Sequence, residues 1–334
     1  NGWMDKPNAE LELSKRFALA FKNKKIQTLI TDSTSKTVGF QPDIVFAMHM
    51  LVPKLTEFYT VGMMWNPIHY IEKGDYQENI LSYDALAISE GTHEDYIYAM
   101  LMHRSRTYDF YHLLPSALKT TNKPVSYFEM PVYIGSNWEK GRHTFLHENN
   151  NVVVYGGKNS WQEEKVNYKG EVPFDIDSIY KTYQRHGIGL CIHSKYHNQD
   201  GIPSMRPFEV AAAGAAIISD HNQFVKEVFG DNAYYLNTDQ PVVKVKKDLK
   251  NIVEQINSNP GQTRKKIENT QNILNKQFSI EVLIERFLDK YNKYQANSSP
   301  INTNRKVQIF VRTNGKRNSL QESISSINLI KMSC

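Results

Sequence analysis

Short apolar runs alternate with amphipathic stretches along most of the chain. Residues 8–23 (NAELELSKRFALAFKN) carry Leu11, Leu13, Phe17, Leu19, Ala20 and Phe21 at mostly helical spacing, and IQTLIT (26–31) then reads as a buried strand. DIVFAMHML (43–51), YTVGMMW (59–65), DALAIS (84–89) and VSYFEMPVYI (125–134) are further apolar runs, with the helical candidate HEDYIYAMLMHR (93–104) between two of them. Beyond the polar stretch EKGRHTFLHENNN (139–151) the alternation restarts. NVVVYGG reads as a strand, DIDSIYKTYQRHG as a helix, IGLCIHS as a strand, MRPFEVAAAGA as a helix, AIISD as a strand, HNQFVKEVFG as a helix and AYYLN as a strand. DLKNIVEQINSN and the long segment TRKKIENTQNILNKQFSIEVLIERFLDKYNKYQA supply closing helices. Strands alternating with helices predict an α/β protein of two Rossmann-like units, each built on an open, mostly parallel sheet.

The two ends set the expected domain limits. An α/β unit ordinarily begins with a strand that feeds its first helix, so a chain that opens on a loop and a helix places the expected first strand upstream of Asn1. At the other end VQIFVRT (307–313) is a new strand after the polar stretch QANSSPINTNRK, and NSLQESISSINLI reads as an amphipathic helix, the start of a further unit. The expected division is a first domain over 1–140, a second over 141–298 and a truncated third over 305–334.

Composition narrows the class. With 40% hydrophobic and 22% charged residues in 334, the chain has the make-up of a folded globular protein. The mean hydropathy of −0.53 and the lack of a run of about 18 apolar residues predict no membrane span, and no signal peptide is visible, so the chain reads as cytoplasmic. A formal charge of +5 is too small and dispersed to imply nucleic-acid binding, but it suits an anionic ligand. Cys191 and Cys334 form neither a disulfide framework nor a zinc pattern, so no metal site is expected.

Most candidate chemistry falls between Gly187 and Gly230. IGLCI is a continuous apolar strand, so His193 and Ser194 fall at its carboxyl end, where open α/β sheets bind ligands. The loop SKYHNQDGIPS brings Lys195, Tyr196, Asp200 and Gly201 to that crevice, as contacts or as solvated neighbours, before a helix beginning near Arg206 or Pro207. A helix start offers unpaired N–H groups to a phosphate, and Arg206 adds a planar fork of donors at the same place. Glu209, in the first turn, is placed to accept from the vicinal hydroxyls of a ribose, or is an acid favoured by the helix dipole. The ensemble has the character of a nucleotide-diphosphate site without a GxGxxG or GxxxxGK[ST] loop. Upstream, VVVYGGKNSW (152–161) places Gly156, Gly157 and Lys158 where backbone and a cation approach a phosphate, or where the glycines simply form a tight turn.

These residues carry a resemblance. Roughly residues 150–240 resemble the donor-binding half of a GT-B glycosyltransferase, close to the CgeB-like "glycosyl transferases group 1" family. The resemblance implies two Rossmann-like domains facing across a cleft, the C-terminal one holding a nucleotide sugar and the N-terminal one the acceptor, without an obligatory metal or further cofactor. It implies that Glu209, in FEVAAAG, binds the ribose, and that SDHNQFVKEVFGDNAYYLN is the strand, helix and strand that follow. DGIPSMRPFE departs from the common E-x7-E pattern, because Gly201 stands eight positions before Glu209 and Asp200 one further back. A sugar contact by a first acid, and retaining stereochemistry with it, are therefore not implied. The segment near 263–296 fits the family's closing helix that crosses back to the first domain, and fits plain packing as well. VQIFVRTNGKRNSLQESISSI resembles the opening of a family-2, GT-A-type transferase, which implies further transferase domains in a parent chain.

Sugar transfer needs positive groups at the leaving diphosphate and, in inverting enzymes, a base at the acceptor hydroxyl. For the base, His49 in DIVFAMHML and Asp32 after IQTLIT both lie near carboxyl ends of expected strands; an edge histidine and a turn or capping acid are the plainer readings of each. WNPIHY (65–70) and MHRSRTYDFYHLLP (102–115) are aromatic enough for a sugar platform, or for core. The expected function is transfer from a nucleotide-diphosphate sugar to a glycan acceptor in bacterial surface polysaccharide synthesis, in the cytoplasm or at the inner face of the membrane. The alternatives are a non-catalytic GT-B-fold module that binds a glycan or a partner transferase, and a nucleotide-sugar epimerase.

Overall fold

The computed structural model describes residues 8–310 apart from 75, 90, 102–107, 138, 140–143, 162–163 and 297–305. The strands among them are β1 (Gln27–Thr31), β2 (Ile44–Ala47), β3 (Tyr59–Met64), β4 (Ala85–Ile88), β5 (Asp109–His112), β6 (Val132–Ile134), β7 (Val153–Tyr155), β8 (Ile188–Cys191), β9 (Ala216–Ser219), β10 (Tyr234–Tyr235) and β11 (Lys306–Phe310). They form two all-parallel sheets in two compact units, one made of residues 1–115 with 280–334 and the other of 116–279.

In the first unit the strand order is β1-β11-β2-β3-β4-β5. Every residue of β2 and β4 is buried, as a parallel sheet covered on both faces requires. The helix Ala9–Asn23 is capped by Asn8, whose side chain accepts from Leu11 N at 2.8 Å, and it buries Leu13, Phe17 and Phe21 at a spacing of four. Phe17 meets Phe46 of β2 edge-on at 5.9 Å, and Phe287 of the helix Ile280–Ala296 meets the same ring at 5.0 Å.

The first four residues of VQIFVRT, read from sequence as the opening of a further unit, form with Lys306 an interior strand of this first sheet, β11. Val307 is fully buried and pairs with Thr28 on one side and Ile44 on the other, while the Asp43 carboxylate accepts from Lys306 N at 2.5 Å. The rest of the expected third domain, Arg305 and residues 311–334, lies outside the described residues.

The second unit has the order β10-β9-β8-β6-β7. Its first strand, β6, lies between its second, β7, and its third, β8, so the winding reverses between β6 and β8. Only the last three residues of VSYFEMPVYI pair as this strand. The rest runs past helix ends instead, with Val125 N donating to Gly214 O at 2.9 Å and Glu129 N to His186 O at 3.0 Å. NVVVYGG is therefore the second strand of the unit, at its edge. The run read as one helix over 263–296 is two: Pro260–Ile273 ends in a π-turn over Leu274–Phe278, Ser279 is extended (φ −62°, ψ 149°), and Ile280–Ala296 packs in the first unit. The units thus divide at 115/116 and 279/280, where the hydrophobic pattern had placed divisions near 140 and 298.

Candidate functional site

The reversal between β6 and β8 opens the crevice in which sheets of this order bind ligands, beyond the carboxyl ends of the strands. The helix Arg206–Ala213 is held against it at close range. A Cβ added at Gly189 of β8 would lie 2.2 Å from Val210 Cγ2, and Ala211, Ala212 and Ala213 are fully buried, so small residues on both elements set the separation. Pro207 lacks an N–H, and the amides of Phe208 and Glu209 both turn back to Met205 O at 3.1 Å. These amides of the first turn are therefore engaged, and the charge at this helix start comes from Arg206.

Arg206 spans the crevice. Its Nε donates to Ile134 O of β6 at 2.9 Å, its Nη1 donates to Ile192 O just beyond β8 at 3.3 Å, and its guanidinium lies 5.1 Å from the centre of the Tyr133 ring. Nη2 would be 2.7 Å and the Tyr133 hydroxyl 2.8 Å from a Cβ at Gly135, so glycine as the first residue after β6 leaves room for the guanidinium in this position. The side chain is half-buried. Glu209, one turn along, is 6% exposed.

His193 follows β8 with its side chain fully buried. Its Nδ1 lies 2.7 Å from Asp220 Oδ1, and Asp220 Oδ2 accepts from His193 N at 2.8 Å and from Asn198 Nδ2 at 3.0 Å. Burial alone would raise the Asp220 carboxyl, but its electrostatic interaction with His193 and these hydrogen bonds outweigh it and hold it below the usual carboxylate range. Asn198 in turn accepts from Asn222 Nδ2 at 3.0 Å, and Asn222 caps the helix Gln223–Phe229. Ser194 caps the short helix Lys195–Asp200, accepting from His197 N at 3.1 Å, and its Oγ lies 2.7 Å from His197 Nδ1; Gly201 ends that helix. Lys195 is exposed, and Tyr196 and Asp200 are half-buried.

The glycine loop after β7 is already occupied by the protein. Gly156 N donates to Gly170 O at 3.1 Å and Lys158 N to Glu171 Oε1 at 2.7 Å, while a Cβ at Gly156 would lie 2.0 Å from Gly135 O. Gly156 lets the β6 and β7 loops touch, the tight-turn reading, and Gly157 and Lys158 stand exposed beside it.

In the first unit, Asp32 is exposed beyond β1, and Ser33, not Asp32, caps the helix Thr34–Phe40. His49, beyond β2, has both ring nitrogens engaged: Nδ1 accepts from Leu51 N at 3.1 Å and Nε2 lies 3.4 Å from Asn66 Nδ2. Burial lowers this imidazole to about 4, so it is neutral at pH 7. Of the expected aromatic platform, Tyr108, Phe110 and Tyr111 are core residues around β5 and Trp65 is buried, while residues 102–107 lie outside the described set.

The structure therefore gathers His193, Ser194, Arg206 and Glu209 at one crevice. It adds Gly135, Asn198, Asp220 and Asn222, which the sequence reading passed over. Asp220, an acid directly after the strand AIIS, is the most findable of these. Among the described residues no group of three or more His, Cys, Asp or Glu side chains is placed to hold a metal ion, and no helix is long and apolar enough to cross a membrane.

Residues 140–289 match the glycosyl transferase-like family. No curated protein sequence matches the chain. Among solved structures, an alpha-glucosyltransferase in complex with UDP-glucose and DNA is similar over 86% of this chain and 96% of its own, with 9% identity and a TM-score of 0.61. Sucrose-phosphate synthase from Thermosynechococcus elongatus is similar over 79% and 76%, with 10% identity and a TM-score of 0.53. A TarM variant from S. aureus, in complex with UDP, is similar over 83% and 59%, with 11% identity and a TM-score of 0.51. The chain has the GT-B fold of these structures, and its residues 140–289 match the glycosyl transferase-like family.

Proposed function

We propose that this protein moves a sugar from a nucleotide-diphosphate sugar to a glycan acceptor in the synthesis of bacterial surface polysaccharide, in the cytoplasm or at the inner face of the membrane. The observation that carries the reading is the meeting of Arg206, Glu209 and His193 at the strand-order reversal of the family-matching unit. In this reading Glu209 holds the ribose hydroxyls, and Arg206 supplies fixed positive charge to the leaving diphosphate in place of a metal ion. A cation already held in place by two backbone carbonyls needs little reorganisation during the reaction, which is where such groups lower a barrier most. The acceptor side belongs to the first unit. There the exposed carboxylate of Asp32 is the better base, because the lone pair of neutral His49 already accepts from Leu51 N. UDP is the donor nucleotide to test first, since two structurally similar proteins were solved with UDP or UDP-glucose.

A second reading, a non-catalytic module with this fold, has one observation on its side: the backbone donors of Gly156 and Lys158 are bonded within the protein. Release of nucleoside diphosphate from UDP, GDP, ADP and dTDP sugars, with and without lipid-linked oligosaccharide, separates the readings. Acceptor-dependent release that falls at least tenfold in Glu209→Ala supports transfer. Silence with every donor overturns it in favour of the module, and an epimerised donor formed without acceptor identifies an epimerase.

A further inference from the structure

The hydrogen bonds around Asp220 settle where the His193 proton sits. Asp220 Oδ2 receives two donors, His193 N at 2.8 Å and Asn198 Nδ2 at 3.0 Å, and both of these nitrogens can only donate. Oδ1 faces His193 Nδ1 at 2.7 Å, and Ser219 Oγ donates to the same oxygen at 3.4 Å. A bare Nδ1 at that distance would set two lone pairs against each other, so the Nδ1 proton points at the carboxylate. Nε2 is then the ring's other polar atom, and it is buried with no partner in the protein. An unmet polar atom in a fully buried side chain is costly unless something fills it. The rest of the cluster is closed: Asn198 is braced by Asn222, and Ser194 by His197. The one unmet position lies on the residue that follows β8 at the crevice.

We propose that Asp220 is a positioning residue that fixes His193 as the Nδ1–H tautomer, so that Nε2 accepts a hydrogen bond from a hydroxyl of the bound nucleotide sugar. The inference rests on the donor-site reading above and adds to it a named acceptor and the group that orients it. It also makes Asp220→Asn an informative change. Oδ2 has to remain an acceptor for His193 N and Asn198 Nδ2, so the new amide oxygen takes that place and its NH2 turns to Nδ1. The histidine is driven to the opposite tautomer, with its proton on Nε2, while the shape of the site is kept.

Two measurements test this. Long-range 1H–15N spectra of the ligand-free protein, with His193 assigned through His193→Gln, report the tautomer without any ligand. Wild type is expected as Nδ1–H and Asp220→Asn as Nε2–H. Titration with UDP and UDP-glucose then gives the expected loss of about tenfold in affinity in Asp220→Asn, the scale of one hydrogen bond. The loss appears for both probes if the hydroxyl is on the ribose and for UDP-glucose alone if it is on the sugar. A wild-type Nε2–H tautomer overturns the proton assignment, even where the variant does not fold. Equal affinity for both proteins, or protonation of Nε2 when UDP binds, overturns the hydroxyl contact. Failure of wild type to bind any nucleotide in a panel extended to GDP, ADP, dTDP and CMP overturns the donor-site reading and the ligand half of this inference together, while the spectra still decide the tautomer.

Discussion

Replacing Arg206 by leucine removes the tie between β6 and β8. Two hydrogen bonds from a charged donor are lost, to Ile134 O and Ile192 O, along with the contact over Tyr133. Bonds of this kind contribute about 1.5–3 kcal/mol each, and the lower value is used because the residue as a whole is half-buried. The ring contact adds about 0.5 kcal/mol at a partly exposed site. Leucine keeps part of the apolar packing of the arginine stem, which returns roughly 1 kcal/mol. The net cost is about 2–3 kcal/mol, or a fall of roughly 5–10 °C in the midpoint of the second unit. Lysine at the same position keeps the charge but places one nitrogen where the fork reached two carbonyls, so about half of the loss remains. Thermal unfolding followed by circular dichroism, with hydrogen exchange at the β6 and β8 amides to assign the transition, measures both variants. A leucine variant within about 0.5 kcal/mol of wild type would refute the tie and leave the guanidinium free to serve a ligand alone.

Other outcomes follow from the same geometry. Gly189→Ala forces a methyl to within 2.2 Å of Val210 Cγ2, so it lowers stability by about 1–3 kcal/mol in urea unfolding and loosens the helix that carries Glu209. Removing residues 297–334 withdraws β11 from the interior of the first sheet, so amides of β1 and β2 exchange faster while β8 and β9 stay protected; uniform protection would contradict the pairing. His49 is held at about 4 against 6.5 when unfolded, so the unfolded chain takes up its proton first as pH falls. That group's stabilisation is intact above about pH 6.5 and is lost progressively toward pH 4, and His49→Gln flattens urea midpoints over that window. Asp220 acts lower: its carboxyl is held below the ordinary value of 3.8, so its contribution is present above that pH and disappears as pH falls through the folded value.

The second unit was the more legible in sequence because its elements are bounded by local signals. Asp175, Pro207, Gly187 and Gly214 mark helix ends directly, and IGLC and AIIS are short, wholly buried strands between them. What failed were readings that depend on partners distant in sequence. VSYFEM has strand composition, but its amides meet helix ends and not a neighbouring strand. DFYH carries an exposed histidine and a half-buried acid because β5 is an edge strand, so it lacks the apolar run of an interior one. Nothing local to VQIFVRT tells that its first residues lie between β1 and β2.

The site divided the same way. Glu209 and His193 were visible because helix starts and strand ends are local features. The engagement of Gly156 and Lys158 by Gly170 and Glu171 was hidden, since it joins loops more than ten residues apart. For Arg206 the sequence shows a cation at a helix start, and only the fold shows two carbonyls within its reach.

Isothermal titration of wild type and Glu209→Ala with UDP, GDP, ADP, dTDP and CMP tests the donor site most directly. The account predicts that one nucleoside diphosphate binds wild type and that the variant loses tenfold or more, while both proteins melt within a few degrees of each other. Equal binding by the two proteins, or no binding by wild type to any of the five, would contradict it.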